Sequence, residues 1–280
     1  MRIKISSDST CDLSPSLIAA NDIAIMPLCV TKGEQVFHDG VDIQPADIFA
    51  HVADGGDLCG TTAVSVGEYT EHFTRLCAEN DGVVHICLGS GFSSSYQNAC
   101  IAAEDFPAVR VIDSQNLSTG QGHVVMEACK LAKTLDDLDK IADALNDLTP
   151  RVEASFILDR LDYMVKGGRC SMVAALGANL LKLKPCIEVA DGKMRVCKKY
   201  RGNYPKCLDQ YVTDRLKDRS DIVPERIFIT YTTCSDEGLQ VVRQKIAEYG
   251  HFTDVLETNA GCTVSCHCGP GTLGVLFIRK

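Results

Sequence analysis

Short apolar runs alternate with amphipathic stretches through the first half of the chain, and this alternation is what most constrains the fold. The apolar runs cover residues 2–6, 23–30, 83–88 and 109–113, and the helical patterns cover residues 66–79, 96–104, 122–133 and 136–148. Parallel strands need long connections, usually helices, whereas antiparallel strands can be joined by tight turns. We therefore predict an N-terminal α/β domain of three layers, in which helices cover both faces of a parallel sheet.

The pattern changes after Pro150. Asp191 and Gly192 lie between two strand-like runs, and both residue types tolerate the positive φ angles of a hairpin turn. A hairpin joins antiparallel strands, so the second half is predicted to be an α/β domain with a mixed or antiparallel sheet. We place the boundary at residue 152, which gives domains 1–152 and 153–280. Further strands are predicted at residues 154–158, 226–231, 252–257 and 274–278, and helices at residues 159–169, 172–183 and 236–249.

Composition excludes several classes of partner. The net charge of −9 opposes binding to phosphate backbones, and a chain without Trp and with 6% aromatic residues has few rings on which bases could stack.

We find no apolar run of signal-peptide length at the start and no ~18-residue apolar stretch, so a cytoplasmic protein without a membrane span is expected. The 15 cysteines are odd in number and mostly stand singly in apolar stretches, so they are expected to be reduced.

A buried strand at residues 83–88 leads into a glycine- and serine-rich turn. Such a turn before a helix presents backbone N–H groups and hydroxyls to an anion, although a tight turn with a serine N-cap is also consistent with it. The turn nearly matches the G-x-S-x-G elbow of hydrolases, with Ser93 as nucleophile, and the G-x-G-x-x-G fingerprint of dinucleotide-binding proteins. Both matches fail at the last glycine, where Ser95 and Ser94 respectively stand.

Thr61 and Thr62 form a second hydroxyl-rich turn, just before the helix predicted at residues 66–79. Ser65 and Glu68 have the spacing of a capping box, which accounts for Ser65 as a helix cap. It leaves both threonines free to bind a ligand.

A glycine pair at residues 167–168 ends one predicted helix and precedes another, at residues 172–183. The second helix is rich in small residues, which allow either close helix packing or a narrow apolar slot. These small residues are Ala174, Ala175, Gly177 and Ala178.

Three cysteines and a histidine lie close together near the end of the chain, at Cys262, Cys266, His267 and Cys268. They are metal-binding residue types, but no second cysteine pair at zinc spacing accompanies them, so we expect no metal. The Gly-Pro-Gly sequence at residues 269–271 instead predicts a sharp turn that holds the imidazole rigidly.

A cationic segment stands out on this acidic chain, as either a docking surface for a partner or a solvated hairpin face. Its positive residues are Lys182, Lys184, Lys193, Arg195, Lys198, Lys199 and Arg201.

Taken in order, these motifs resemble those of the DegV family, whose best-understood members are the fatty-acid-binding subunits (FakB) of bacterial fatty acid kinase. The resemblance covers nearly the whole chain, and the ordered set is far more specific than any single motif. It is carried by Ser7-Asp8-Ser9-Thr10, Asp39-Gly40-Val41-Asp42-Ile43, Thr61-Thr62, Ser90-Gly91-Phe92-Ser93, Val111-Ile112-Asp113-Ser114, Gly120-Gln121-Gly122, Lys166-Gly167-Gly168-Arg169, Lys184-Pro185 and His267-Cys268-Gly269-Pro270-Gly271.

The resemblance implies a two-domain α/β protein that buries one long-chain fatty acid. Its carboxylate would be held by Thr61, Thr62, Ser93 and His267, with Arg169 nearby. A separate kinase subunit would then phosphorylate the bound acid with ATP to an acyl phosphate for phospholipid synthesis. The chain itself would have no catalytic residue, no metal and no cofactor.

The resemblance favours the docking interpretation of the cationic segment, with the kinase subunit on Arg169, Lys198, Lys199 and Arg201.

Two departures from the family pattern concern the pocket. The family usually has Ser-Gln-Pro-Ser at residues 62–65 and Gly-Thr-Tyr at residues 94–96, where this chain has Thr-Ala-Val-Ser and Ser-Ser-Tyr. The preferred acyl chain is therefore not predicted.

Two enzyme classes are the alternatives. A serine acyl-hydrolase would use Ser93 as nucleophile and His267 as base, oriented by Asp8 or Asp113. A dinucleotide oxidoreductase would use Asp113 to bind a ribose hydroxyl. The missing last glycine of each motif weighs against both.

Overall fold

The computed structural model describes residues 1–174 and 183–280. Its helices are α1 (Pro15–Ala20), α2 (Pro45–Ala53), α3 (Val66–Glu79), α4 (Ser95–Ala103), α5 (Thr119–Leu131), α6 (Leu138–Leu148), α7 (Asp162–Gly167), α8 (Ser171–Ala174), α9 (Tyr204–Leu216), α10 (Asp236–Tyr249) and α11 (Cys262–Cys268). Its strands are β1 (Ile3–Asp8), β2 (Ala24–Met26), β3 (Cys29–Lys32), β4 (Gln35–His38), β5 (Gly60–Thr62), β6 (Gly82–Cys87), β7 (Val109–Asp113), β8 (Val152–Leu158), β9 (Leu183–Ala190), β10 (Lys193–Arg201), β11 (Ile222–Tyr231), β12 (Asp254–Asn259) and β13 (Thr272–Arg279).

Four strands form a parallel sheet in the order β2-β1-β6-β7. Helices α5 and α6 pack on one face, where Val124 and Leu145 share an apolar cluster with Ile86. Helices α3 and α4 pack on the other face, where Phe73 and Ala99 are buried together. The predicted parallel sheet with helices on both faces is therefore confirmed, and it lies between two apolar clusters that exclude water from its strands.

A small antiparallel sheet in the order β4-β3-β5 was not predicted. The sequence pattern indicated one strand at residues 23–30, but Pro27 separates β2 from β3, because proline has no N–H to donate to a strand ladder. Thr61 and Thr62, predicted to lie in a turn, belong instead to the short edge strand β5. This sheet brings both threonines against α11 and β3.

The second half forms a six-stranded sheet in the order β10-β9-β8-β13-β11-β12. Its pairs are antiparallel except for β11 with β12, so the predicted mixed sheet is confirmed. The predicted hairpin turn is also present, with φ angles of 52° at Asp191 and 68° at Gly192. Because β8, the first strand of this sheet in the sequence, begins at Val152, we keep the boundary near residue 152 as a proposal.

The helix predicted at residues 172–183 differs from the structure at its C-terminal end. Helix α8 (Ser171–Ala174) covers its start, but Leu183 begins β9, so a helix does not extend to that residue. Ala175, Gly177, Ala178 and Lys182 lie outside the described residues.

The cysteine-rich segment, for which no helix was predicted, forms helix α11, and the chain turns after it at Gly269, where φ is 72°. The histidine therefore projects from a helix. Among the described residues, no helix combines the length and apolarity needed to cross a membrane.

His123 lies in the interface between α5 and the six-stranded sheet. Its Nε2 hydrogen-bonds the Leu276 carbonyl oxygen over 3.0 Å, and its ring meets Phe228 edge-on at 4.8 Å. Burial lowers the pKa of His123 to about 3, because the protonated ring would lose its hydration there.

This buried histidine makes stability depend on pH. In the unfolded chain His123 takes up a proton near pH ~6.5, far above its pKa in the folded protein. The contribution of neutral His123 to the free energy of unfolding is therefore complete above that pH and is lost as the pH falls toward 3. We expect His123 to account for about 2 kcal/mol of the stability lost between pH 7.5 and pH 5. Urea unfolding of the unsubstituted protein and His123→Leu at both pH values measures this, since other titrating groups are common to the two proteins. Equal acid sensitivity would contradict the assignment.

Candidate ligand-binding site

A cavity of about 160 Å³ lies where the carboxyl edge of the parallel sheet meets the small sheet, α11 and β10. The elements bring two kinds of side chain together there, apolar groups on one side and hydroxyl, imidazole and guanidinium groups on the other. The lining residues are Thr10, Leu28, Thr61, Thr62, Ala63, Leu88, Phe92, Ser93, Ser94, Leu117, Arg169, Met194, Thr263, Val264, His267 and Cys268.

The structure places all five residues predicted to bind the ligand in this lining, namely Thr61, Thr62, Ser93, Arg169 and His267. They come from four separate segments of the chain. Their role in binding stays a prediction.

His267 lies in the last turn of α11, and a hydrogen bond of 2.8 Å joins its Nε2 to Thr61 Oγ1. Its Nδ1 is buried and has no partner within the described part of the chain. A Cβ atom on Gly167 would lie 2.6 Å from this Nδ1, so glycine is needed for the close approach. Burial, assisted by the charge of Arg169, lowers the pKa of His267 to about 4. The imidazole is therefore neutral at neutral pH.

The hydroxyl groups of the lining differ in the hydrogen bonds that they already make. Ser93 Oγ bonds Ser95 Oγ over 3.0 Å and accepts from the Ser95 N–H over 3.2 Å, which orients it at the start of α4. Thr61 and Thr62 point to opposite faces of β5, as alternating strand residues do. Both residues border the cavity, but Thr61 Oγ1 lies on the His267 side, whereas the Thr62 hydroxyl interacts with the Cys29 thiol.

Thr263 is a lining residue that the sequence analysis missed. Its Oγ1 is buried and has no hydrogen-bond partner among the residues described. It precedes His267 by four positions, so the two share one face of α11. That spacing indicates a shared face only if the segment is a helix, and the sequence analysis predicted no helix there.

A second, apolar cavity of about 30 Å³ adjoins the first and shares Leu117, Val264 and Cys268 with it. Phe156 and Leu276 of the six-stranded sheet line its inner side. The site is thus polar at one end and leads into the apolar interior.

The predicted docking residues do not form one cluster. Lys198 lies 2.5 Å from Asp214 of α9, and Tyr200 is buried against the same helix. Lys199 and Arg201 flank Tyr200 in β10, so they point to the opposite face of the sheet.

Arg169 is exposed and borders the cavity together with Met194 of β10. Its guanidinium donates to the Gly167 carbonyl oxygen over 2.8 Å. Arg201 is seven positions from Met194 in the strand, roughly 20 Å along it. Arg169 and Arg201 therefore mark two ends of one face rather than a single patch.

The arrangement does not assemble a hydrolase triad from the described residues. His267 Nε2 bonds Thr61, its Nδ1 has no acid partner in residues 1–174 and 183–280, and Ser93 bonds Ser95. Asp8 accepts from the Leu88 N–H over 2.6 Å.

Asp113 is occupied in a similar way. It accepts from Ser90 Oγ over 2.6 Å and from the Gln115 N–H over 2.9 Å. These contacts leave it as a turn-stabilising group rather than a base partner or a ribose ligand.

The cysteines of α11 do not converge. Cys262 and Cys266 are buried against Val30 and Ile48, whereas Cys268 packs with Phe156 in a different cluster. They contribute to packing between α11 and its neighbours.

The fold is that of an α/β protein with three sheets, and its cavity lies where the parallel sheet meets the small antiparallel sheet, α11 and β10. The family model described as "Uncharacterised protein, DegV family" matches residues 2–280. The chain therefore belongs to the DegV family.

Individual relatives agree with this assignment. A DegV domain-containing protein of Clostridium acetobutylicum is 34% identical over 282 residues, which cover 100% of this chain and 99% of that protein. A solved DegV family structure from Thermus thermophilus, described as fatty acid binding, is 26% identical with a TM-score of 0.90 and covers 100% of both chains. A DegV lipid-binding protein from Thermotoga maritima is 22% identical, covers 100% of this chain and 99% of that one, and has a TM-score of 0.87, which shows the shared fold.

Proposed function

We propose that this chain binds one long-chain fatty acid, with the carboxylate among Thr61, Thr62, Ser93 and His267 and the acyl tail in the apolar interior. The observation that carries this proposal is the polarity of the cavity, which has hydrogen-bonding groups at one end and an apolar extension at the other. The Thermus relative described as fatty acid binding supports the same ligand class.

The polar end suits a carboxylate for a physical reason. A buried carboxylate is costly unless donors replace its hydration. Among the residues that the structure describes, Thr263 Oγ1 and His267 Nδ1 are buried and have no hydrogen-bond partner, so each can engage a ligand without losing an existing bond. His267 contributes as a neutral group, and Arg169 supplies the positive charge at the mouth.

The apolar end suits an acyl chain, which contributes about 0.8 kcal/mol for each buried CH₂ group. The inner cavity of about 30 Å³ holds little more than one water molecule, so a long tail must widen it. Side-chain movement of Leu117 and Val264, which separate the two cavities, would open this path.

The chain acts in this proposal as a carrier, and ATP-dependent phosphorylation of the bound acid takes place on a separate kinase subunit. The product is an acyl phosphate for phospholipid synthesis. Exposed Arg169 at the mouth, with Lys199 and Arg201 on one face of the mixed sheet, is the surface that we assign to the kinase. ATP supply and the 15 cysteines, which form no disulfide bond in the described part of the chain, both fit a cytoplasmic setting.

Lipid extraction tests the binding function. Protein purified from a bacterial host is expected to release roughly one fatty acid per chain, identified by mass spectrometry, and delipidated protein is expected to rebind oleate. Incubation with a p-nitrophenyl acyl ester separates the carrier from a hydrolase, because a carrier gives no turnover dependent on Ser93. Absence of both extracted lipid and oleate binding would refute the proposal.

A further inference from the structure

Three metal-binding side chains meet on the outer face of the small antiparallel sheet. They are Cys29 of β3, His38 of β4 and Glu68 of α3, and one ligand atom from each lies within 4.8 Å of the other two. Cys29 and His38 stand directly opposite each other in the strand pair, and α3 places its first turn over them. Neither the DegV resemblance nor the proposed fatty-acid site involves these residues.

We propose that Cys29, His38 and Glu68 bind a divalent transition metal ion of the zinc class. A thiolate, an imidazole and a carboxylate together suit zinc, which accepts sulfur, nitrogen and oxygen ligands, whereas calcium and magnesium require oxygen alone. Three protein ligands leave a fourth tetrahedral position for water or another small ligand.

The hydrogen bonds of His38 and Glu68 leave one possible ligand atom on each side chain available, whereas the Cys29 thiol has a side-chain hydrogen bond with Thr62 that a metal would replace. Asp42 Oδ2 accepts from His38 Nδ1 over 3.3 Å, which directs Nε2 and its lone pair away for a metal. A carboxylate behind a ligating imidazole is the common arrangement at zinc sites. Both bonds from Ser65 to Glu68, at 2.8 and 2.6 Å, reach Oε2, so Oε1 is free of them.

The three ligand atoms must move slightly closer together to bind one metal ion. Donor atoms around a tetrahedral zinc lie about 3.5 Å apart, so side chains now within 4.8 Å must approach by about 1 Å. His38 is exposed and Glu68 partly exposed, so rotation of these two side chains can supply the movement. Cys29 is buried and fixed in the central strand β3, and it provides the rigid ligand.

The ion would tie the β3–β4 hairpin to the start of α3. Thr62 stands opposite Cys29 in the strand pair and also borders the ligand cavity, so the metal would brace the strand that carries both threonines. The sequence gives no indication of this metal site, because Cys29, His38 and Glu68 belong to no local motif. The expectation of no metal rested on the lack of a second cysteine pair at zinc spacing, a criterion that does not apply to ligands from three separate elements.

Cobalt and zinc titration tests the site in the full-length, reduced protein. Co²⁺ is expected to bind with one ion per chain and to produce thiolate-to-cobalt absorption, which Zn²⁺ then displaces. Cys29→Ser should abolish that absorption, and His38→Gln and Glu68→Gln should each weaken binding at least about tenfold. Gln at position 68 keeps the capping-box geometry of α3, and His38 is exposed, so both variants are expected to fold.

Matched variants control for the many other thiols. Cys59 is as buried as Cys29 and lies beside the same small sheet, and His251 is an exposed histidine far from the cluster in sequence. Cys59→Ser and His251→Gln are expected to bind Co²⁺ as the unsubstituted protein does. Failure to saturate at one ion per chain, or thiolate absorption that persists in folded Cys29→Ser, would overturn the proposal.

Discussion

Replacing Ser93 and His267 together with alanine is expected to weaken fatty-acid binding at least about a hundredfold. Each side chain offers a donor to the carboxylate, and losing one donor to a buried charged group costs about 1.5–3 kcal/mol. The loss should appear in the dissociation constant for oleate, measured by fluorescence displacement on delipidated protein. His267 is neutral at pH 7, so the loss reflects missing hydrogen bonds rather than a missing ion pair.

A double variant outside the cavity provides the control. Ser220 and His251 are exposed, and neither borders the cavity, so Ser220→Ala with His251→Ala removes the same two residue types without changing the site. Its affinity for oleate should equal that of the unsubstituted protein. If the Ser93 and His267 variant keeps its circular dichroism spectrum and full affinity, the carboxylate binds elsewhere.

Local signals predicted the regular elements well. The capping box of Ser65 and Glu68 is present, and α3 covers the predicted residues 66–79. The Asp-Gly pair at residues 191–192 was sufficient to predict the hairpin, because few other residues adopt two successive positive φ angles. These features depend on neighbours within a few residues, so a single sequence contains the information for them.

Features that depend on distant contacts were not predictable in the same way. The pairing of β3 with β5 joins residues some thirty positions apart, and it converts a predicted threonine turn into an edge strand. Thr263 faces the cavity because α11 packs beside that strand, which no pattern near residue 263 indicates. The family resemblance located Thr61, Ser93 and His267 in one site, whereas their chemistry alone left a hydrolase open.

The cationic segment shows how a local irregularity changes a surface. Its charges were predicted to act together, but the register of β10 shifts between Val196 and Lys198. After that bulge, Lys198 approaches Asp214 of α9, while Lys199 points to the opposite face. A partner that contacts the cavity face would therefore meet Lys199 and Arg201 but not Lys198.

Charge reversal on that face, in Lys199→Glu with Arg201→Glu, is expected to slow acyl phosphate formation about ten- to a hundredfold at low salt. Long-range attraction raises association rates and weakens as salt screens it, so the defect should shrink at higher ionic strength. Oleate affinity should stay unchanged, because neither residue borders the cavity. Lys133→Glu with Lys217→Glu makes the same charge change at two exposed positions that lie outside β10. The measurement is phosphorylation of bound acid by a cognate kinase subunit at two salt concentrations, compared between the two double variants. Equal defects in both double variants, or loss of oleate binding, would show that Lys199 and Arg201 have no docking role.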